Sequence, residues 1–309
     1  MAEFELNTPV VFIIFNRPEE TKLVFDEIAK VKPTKLFVIS DGARDLIANE
    51  REKVAAAREI IKNINWECEV FTNFSSVNLG CKLRVSSGLD WVFNNVEEAI
   101  ILEDDCLPDS TFFQFCQELL ERYRDDQRIG MISGDNFQFG FAQNDDSYYF
   151  SNITHIWGWA TWRTRWSSDY DVEMSAWPKI RDEGAYLDWF HDATEKKSFY
   201  YRMEKTYNGE IDTWDNQWQF SSRLTGRISI MPNANLITNI VFGPGATHTT
   251  VDSVVSNMSR FPMRFPLKHP VGIFASTSMD ERFTKYFSRP AKWRSIKDRM
   301  LMKINWWNK

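Results

Sequence analysis

The sequence contains few of the residues that mark disulfide-rich, fibrous or disordered proteins. Its 309 residues include only four cysteines, 13 glycines and 11 prolines. The cysteines have neither CxxC spacing nor a nearby pair of histidines, which argues against a zinc site or a disulfide framework. The low glycine and proline content excludes collagen-like repeats and low-complexity linkers. We therefore expect a globular chain with reduced thiols.

The sequence also has fewer basic than acidic residues. It contains 37 Lys and Arg and 43 Asp and Glu, which gives a net charge of −6. Such a chain has no global positive field to attract nucleic acid. The first 20 residues lack the basic start of a signal peptide, and the apolar run at 9–15 is much shorter than a membrane span of ~20 residues. We expect a cytoplasmic protein that binds no nucleic acid.

The first hundred residues alternate short apolar runs with helical stretches. The runs VVFIIF, LFVIS, CEVFT and AIILE predict buried strands at 10–15, 36–40, 68–72 and 99–103. This alternation predicts an α/β fold with a mostly parallel central sheet flanked by helices. The carboxyl ends of parallel strands share one edge of the sheet, and ligands of open α/β sheets bind there.

Polar residues follow three of these strands: Arg17, Asp41 and the run Glu103-Asp104-Asp105. Three adjacent carboxylates repel one another unless a cation neutralises them. A Mg²⁺ or Mn²⁺ ion takes one or two carboxylates and completes its shell with water and substrate phosphates, which suits this position. The alternative is a solvated acidic turn before a helix that Asp109 or Ser110 caps.

Basic side chains near the same edge are candidate phosphate ligands. Arg17 follows the first strand, whereas Lys82 and Arg84 begin the helix after Asn78-Leu79-Gly80. Surface solvation is the alternative role for each of them. The region contains neither GxxxxGK[ST] nor GxGxxG, which argues against kinases, ATPases and dehydrogenases.

Three tryptophans lie close together in the segment HIWGWATWR: Trp157, Trp159 and Trp162. A rigid aromatic face suits the apolar side of an acceptor sugar ring, and packing in the core is the equally open alternative. Further on, Asp212 and Asp215 flank Trp214, and one of the two carboxylates could be a general base. Asp212 could instead cap the helix that follows.

Two features near the C-terminus each have two interpretations. His248, in the loop GPGATHT, could ligate a metal or contact a phosphate, or it could be structural. The segment 289–309 has seven Lys and Arg and one Asp, with apolar residues at helical spacing. This pattern predicts a basic amphipathic helix that either contacts the inner face of a membrane peripherally or packs onto an acidic face of the protein.

The segment ILEDDCLPDSTFFQF, at 101–115, resembles the metal-binding motif and following helix of GT-A fold glycosyltransferases. The likeness is to the N-acetylglucosaminyltransferase I type and to bacterial transferases of surface-polysaccharide synthesis, and it spans about 9–249. It implies a GT-A, Rossmann-like fold. It also implies that Asp105 binds Mn²⁺, that Asp104 contacts the donor ribose or sugar, and that Glu103 lies near the sugar. Arg17 and Asp41 would hold the nucleotide.

The same resemblance makes Asp215 the acidic base of an inverting enzyme. Asn216 follows it where the family has a second acid, so the choice between Asp212 and Asp215 stays open. His248 and the tryptophan segment resemble features of the bacterial relatives.

The implied activity is a metal-dependent, inverting hexosyl- or N-acetylhexosaminyltransferase. It would move a sugar from a nucleotide-diphosphate donor, with a UDP-sugar favoured, to a hydroxyl of a glycan or lipid-linked glycan. The nucleotide-sugar half would span 1–136, the acceptor-side half of the same globule 137–250, and a C-terminal extension 251–309.

Two other functions compete with this interpretation. A sugar-phosphate nucleotidyltransferase would have a Gly-rich basic loop after the first strand, where this chain has Asn16-Arg17-Pro18-Glu19. A non-catalytic carbohydrate-binding protein would bind glycan with neither nucleotide nor metal.

Overall fold

The computed structural model describes residues 4–142, 144–241 and 257–287, which are built around an eight-stranded sheet. Its strands are β1 (Val10–Ile14), β2 (Lys35–Ser40), β3 (Glu69–Phe74), β4 (Glu98–Glu103), β6 (Ile129–Ser133), β7 (Tyr148–Ser151), β8 (Trp159–Trp162) and β9 (Ile228–Pro232). A separate antiparallel pair consists of β5 (Cys106–Pro108) and β10 (Ile237–Asn239).

Six of the eight strands run in the same direction. The order across the sheet is β3-β2-β1-β4-β8-β6-β9-β7, and β7 and β8 are the two strands that run opposite to the others. Helices flank the sheet: α1 (Pro18–Val31), α2 (Glu50–Ile60), α3 (Gly80–Phe93), α4 (Thr111–Arg122), α5 (Arg163–Asp169), α6 (Trp177–Asp182), α7 (Ala193–Tyr207), α8 (Asp215–Thr225) and α9 (Thr277–Phe287). The predicted α/β fold class with a mostly parallel sheet is confirmed.

The apolar strand β1 shows why the sheet is covered on both faces. All five of its residues are buried. Val10, Phe12 and Ile14 join one hydrophobic cluster, and the alternate residues Val11 and Ile13 join another. Because successive side chains point to opposite faces of a sheet, each face packs its own core. A continuous apolar run therefore forms a central strand here.

The second half of the chain adds strands to this same sheet. β8 lies between β4 and β6, and β9 pairs in parallel with β6. The sequence shows no regular alternation after residue 147, because these strands are short and enter the sheet out of chain order. A short 3-10 turn at Ala185–Trp189 precedes α7.

Candidate active site

A cavity of about 520 Å³ lies at the carboxyl ends of β1, β2 and β4. The predicted convergence of strand ends is therefore found at the expected edge. Candidate residues from the sequence that line this cavity are Arg17, Asp41, Arg84, Glu103, Asp104, Asp105, Trp157, Asp212 and Asp215.

The acidic turn after β4 is joined to Arg17 from the end of β1. An amino group of the Arg17 guanidinium donates to Asp104 Oδ1 at 2.8 Å and to Asp105 Oδ2 at 3.2 Å. Asp104 Oδ2 also accepts the backbone N–H of Phe15 at 3.0 Å. Arg17 thus neutralises part of the negative charge, and β1 and β4 are fixed to each other where they meet the cavity.

Of the three carboxylates in this turn, that of Glu103 has a buried oxygen, Oε1, without a hydrogen bond. Burial raises the pKa of Glu103, and the negative charges of Asp105 and Asp104 raise it further. Burial also raises the pKa of Asp104, although the Arg17 guanidinium opposes that shift. Excess negative charge in a buried turn favours the binding of a further cation.

The donor set of this turn fits a hard divalent cation. Within residues 4–142, 144–241 and 257–287, no three His, Cys, Asp or Glu side chains converge closely enough to hold a metal alone. Mg²⁺ and Mn²⁺ need only one or two carboxylates when phosphates and waters complete the shell. Asp105, which borders the cavity, and the unpartnered Oε1 of Glu103 supply oxygen donors of this kind.

Asp41 organises the wall of the cavity beneath β2. Its carboxylate accepts the backbone N–H groups of Gly42, Leu79 and Gly80 at 2.9–3.1 Å and the side-chain amide of Asn78 at 3.0 Å. Burial raises the pKa of Asp41, and these N–H donors oppose the shift. The residue holds the loop before α3 against the end of β2, and its contact with a nucleotide stays a prediction.

Asp212 and Asp215 have different partners. Asp212 accepts the N–H groups of Cys81 and Lys82, both at 2.9 Å, so it caps the N-terminus of α3. The expectation that Asp212 caps its own following helix is wrong, because α8 begins at Asp215 and has no side-chain cap at Trp214.

Asp215 accepts the Thr213 hydroxyl through Oδ1. No hydrogen bond from the described part of the chain reaches its Oδ2, and the side chain borders the cavity. Of the two carboxylates, Asp215 has the oxygen that can accept a proton from a bound hydroxyl.

The prediction that tryptophans of the segment 155–163 stack on an acceptor sugar is wrong for two of the three residues. Trp159 and Trp162 lie on β8 and are 1% and 2% exposed, so a sugar cannot stack on them. The Trp159 ring stacks on Trp214 with centroids 5.4 Å apart, and Trp162 packs in the core on the other face of the sheet. Trp157 is half-buried and lines the cavity, where it stays a candidate.

The two basic residues of α3 also differ in position. Arg84 borders the cavity, but one of its amino groups already donates to the backbone and side-chain oxygens of Asn73, both at 3.0 Å. Lys82 is not among the described residues that line the cavity, and its Nζ lies 3.4 Å from Glu173. The prediction that Lys82 contacts a donor phosphate is therefore not supported.

Two predictions concern residues that the structure does not describe. His248 and the amphipathic segment 289–309 lie outside the described residues. Among the described residues, no helix combines the length and the apolar character needed to cross a membrane.

Arg44 is a cavity residue that the sequence analysis missed. Its guanidinium lies 5.7 Å from the centre of the Phe15 ring and is bound to the buried carboxylate of Glu50. Glu50 also accepts the Asn16 side chain at 2.7 Å. Arg44 follows β2 by four positions, so the strand-end rule that selected Asp41 could have found it.

No protein-family model matches the sequence, and a comparison with curated proteins gives no match. Among solved structures, the galactosyltransferase LgtC in complex with donor and acceptor sugar analogs is similar at 12% identity and a TM-score of 0.38, over 93% of this chain and 99% of that one. A cytidylyltransferase from Leptospira borgpetersenii has 13% identity and a TM-score of 0.32, and covers 52% of this chain.

A UDP-glucose pyrophosphorylase complexed with UDP-glucose has 9% identity and a TM-score of 0.26, and covers 47% of this chain. The chain spans only 63% and 62% of the lengths of the cytidylyltransferase and the pyrophosphorylase. Similarities this low do not establish a shared function. The structure by itself shows an α/β fold with a mostly parallel central sheet flanked by helices, as the sequence predicts.

Proposed function

We propose that the protein is a metal-dependent, inverting glycosyltransferase that uses a nucleotide-diphosphate sugar. The observation that carries this proposal is one cavity with two chemically different sides. The acidic turn Glu103-Asp104-Asp105 and Arg17 line it at the strand ends, and Asp215 lines it from the start of α8. A carboxylate set apart from the acidic turn is what a direct displacement needs for its base.

The donor diphosphate would bind beside the acidic turn. A divalent ion held by Asp105, with Glu103 as a second oxygen donor, would supply Lewis-acid stabilisation of the charge on the leaving diphosphate. Arg17 is already fixed by Asp104 and Asp105, and it adds a positive charge that needs little reorganisation when the leaving group departs. Arg84 lines the same cavity and would contribute positive charge near the nucleotide, whereas the charge of Arg44 is balanced by Glu50.

Asp215 would accept the proton from the attacking hydroxyl of the acceptor. Thr213 holds Oδ1, so Oδ2 would be the oxygen that takes the proton. A single displacement by that hydroxyl inverts the anomeric configuration and needs no carboxylate nucleophile, in contrast to retaining glycoside hydrolases. By the resemblance of the acidic motif, we favour a UDP-sugar donor and a glycan or lipid-linked glycan acceptor.

Calorimetric titration tests this function directly. UDP-, GDP-, dTDP- and CMP-linked sugars are titrated with and without Mn²⁺ into the wild type, Asp105→Asn and the matched surface control Asp125→Asn. We expect one nucleotide class to bind in a Mn²⁺-dependent manner to the wild type and the control, and not to Asp105→Asn. Failure of the wild type to bind any nucleotide sugar would overturn the proposal and favour a carbohydrate-binding protein.

A further inference from the structure

A second cavity, of about 340 Å³, lies beside the first and shares Ile156, Asp215 and Asn216 with it. One wall is a single face of α7, which supplies Glu195, Ser198, Phe199 and Arg202 at the i, i+3, i+4 and i+7 positions of a helix. The proposed base therefore stands at the junction of two cavities.

Arg202 is the cationic side chain among the described lining residues. No hydrogen bond or ion pair within the described part of the chain involves its guanidinium, although Asp215 and Glu195 are close enough to influence its pKa. Arg202 is an exposed residue, so its guanidinium is open to a molecule that enters the cavity. A guanidinium without a hydrogen-bonding partner can form charge-assisted hydrogen bonds with the oxygens of an anionic ligand.

Glu195 does not serve as that ligand. Its Oε1 accepts the hydroxyl of Thr284 on α9 at 3.3 Å. Burial raises the pKa of Glu195, and the nearby Arg223 opposes this shift. The carboxylate of Glu195 is thus bound to Thr284 of α9, and the N–H edge of the Arg202 guanidinium can donate to a molecule in the cavity.

Aromatic rings complete the cavity: Phe190, Phe199, Phe283 and Phe287 line it. The Phe190 and Phe199 centroids are 4.9 Å apart, and those of Phe283 and Phe287 are 4.5 Å apart. Apolar faces beside hydroxyl and amide groups, here Ser198 and Gln219, suit a sugar ring, which has both kinds of surface.

We propose that this second cavity binds the acceptor, and that Arg202 binds an anionic group of the acceptor while the attacking hydroxyl lies at Asp215. The inference rests on the proposed function, because it takes Asp215 as the base. The anionic group is a carboxylate or a phosphate, since the guanidinium fork binds two oxygens of either group. The acceptor is accordingly an acidic or phosphorylated sugar, and a neutral glycan is a poor substrate.

Ligand-observed NMR titration tests the site with three probes: glucose, glucuronate and glucose 6-phosphate. The titrations are run with and without UDP and Mn²⁺, so that binding in the donor cavity is recognised. The proteins are the wild type, Arg202→Gln, Arg202→Lys and the control Lys197→Gln, which removes the same charge from a residue of α7 outside the cavity. Circular dichroism checks that each variant is folded.

We expect an acidic probe to bind the wild type and Lys197→Gln about tenfold more tightly than glucose, as a charge-assisted hydrogen bond predicts. Arg202→Gln loses this preference, and Arg202→Lys keeps part of it. The preferred probe distinguishes a carboxylate from a phosphate. The same preference in Arg202→Gln, or none in the wild type, overturns the inference.

The two proposals fail in different ways. If a nucleotide sugar binds in a Mn²⁺-dependent manner, but Arg202→Gln still prefers the acidic probes over glucose, only the acceptor inference is overturned. An Arg202-dependent acid preference in a protein that binds no nucleotide sugar overturns the proposed function and supports the anion site.

Discussion

The carboxylate of Asp212 occupies the space that a side chain at Gly80 would fill. A Cβ atom added at Gly80 would lie 2.6 Å from Oδ2 of Asp212, and Gly80 has a φ of +78°. The absence of a side chain lets the carboxylate reach the first free N–H groups of α3, those of Cys81 and Lys82. This contact joins the two sides of the cavity.

Removal of this cap should destabilise the protein. Asp212→Ala leaves two helix N–H groups without their acceptor, and we expect a loss of about 1–2 kcal/mol in the free energy of unfolding. Urea denaturation measures it, with Asp188→Ala as an exposed control. Wild-type stability in Asp212→Ala would show that the cap does not contribute.

Asp215→Asn should separate turnover from donor binding. The amide cannot accept the proton of the acceptor hydroxyl, so we expect the transfer rate to fall by about 10²–10⁴-fold. Calorimetry should give the same affinity for the nucleotide sugar as in the wild type, and Asp188→Asn should keep full activity. A full transfer rate in Asp215→Asn would exclude this residue as the base.

Trp159 should matter for stability rather than for sugar binding. Its ring packs against Trp214, Trp218 and Trp166, with centroids 5.4, 5.7 and 6.2 Å away. Trp159→Ala opens a cavity in this cluster, and we expect a loss of about 3–5 kcal/mol. Trp157→Ala, at the edge of the site, should cost less in the same urea measurement. Equal losses in the two variants would contradict this division of roles.

Glu50 should make stability depend on acid pH. Its hydrogen bond with Arg44 lowers the pKa of Glu50 against the effect of burial. The unfolded carboxyl binds its proton near pH 4.3, and the folded one binds it only at lower pH. The stabilisation is therefore complete above that unfolded pKa and is lost as the pH falls through the folded pKa.

The measurement is the free energy of unfolding at a series of pH values from neutral to acid. In Glu50→Gln the group no longer titrates, so stability should fall less steeply toward acid pH than in the wild type. Glu52→Gln, an exposed residue of the same helix, is the matched control. Identical pH profiles for the wild type and Glu50→Gln would contradict the prediction.

The sequence by itself determined the α/β fold class and the edge at which Arg17, Asp41 and the acidic turn meet. Both follow from local patterns, because continuous apolar runs form buried strands and parallel strands bring their carboxyl ends together. The four strands predicted at 10–15, 36–40, 68–72 and 99–103 are found as β1, β2, β3 and β4, with their ends shifted by at most two residues.

Only the tertiary structure decided which of the polar and aromatic candidates reach the cavity. Asp212 differs from Asp215 through its contact with α3, and Trp159 is buried because β8 enters the middle of the sheet. The position of Arg202 likewise depends on how α7, α8 and α9 meet. These outcomes rest on contacts between residues distant in the chain, and local sequence patterns do not record such contacts.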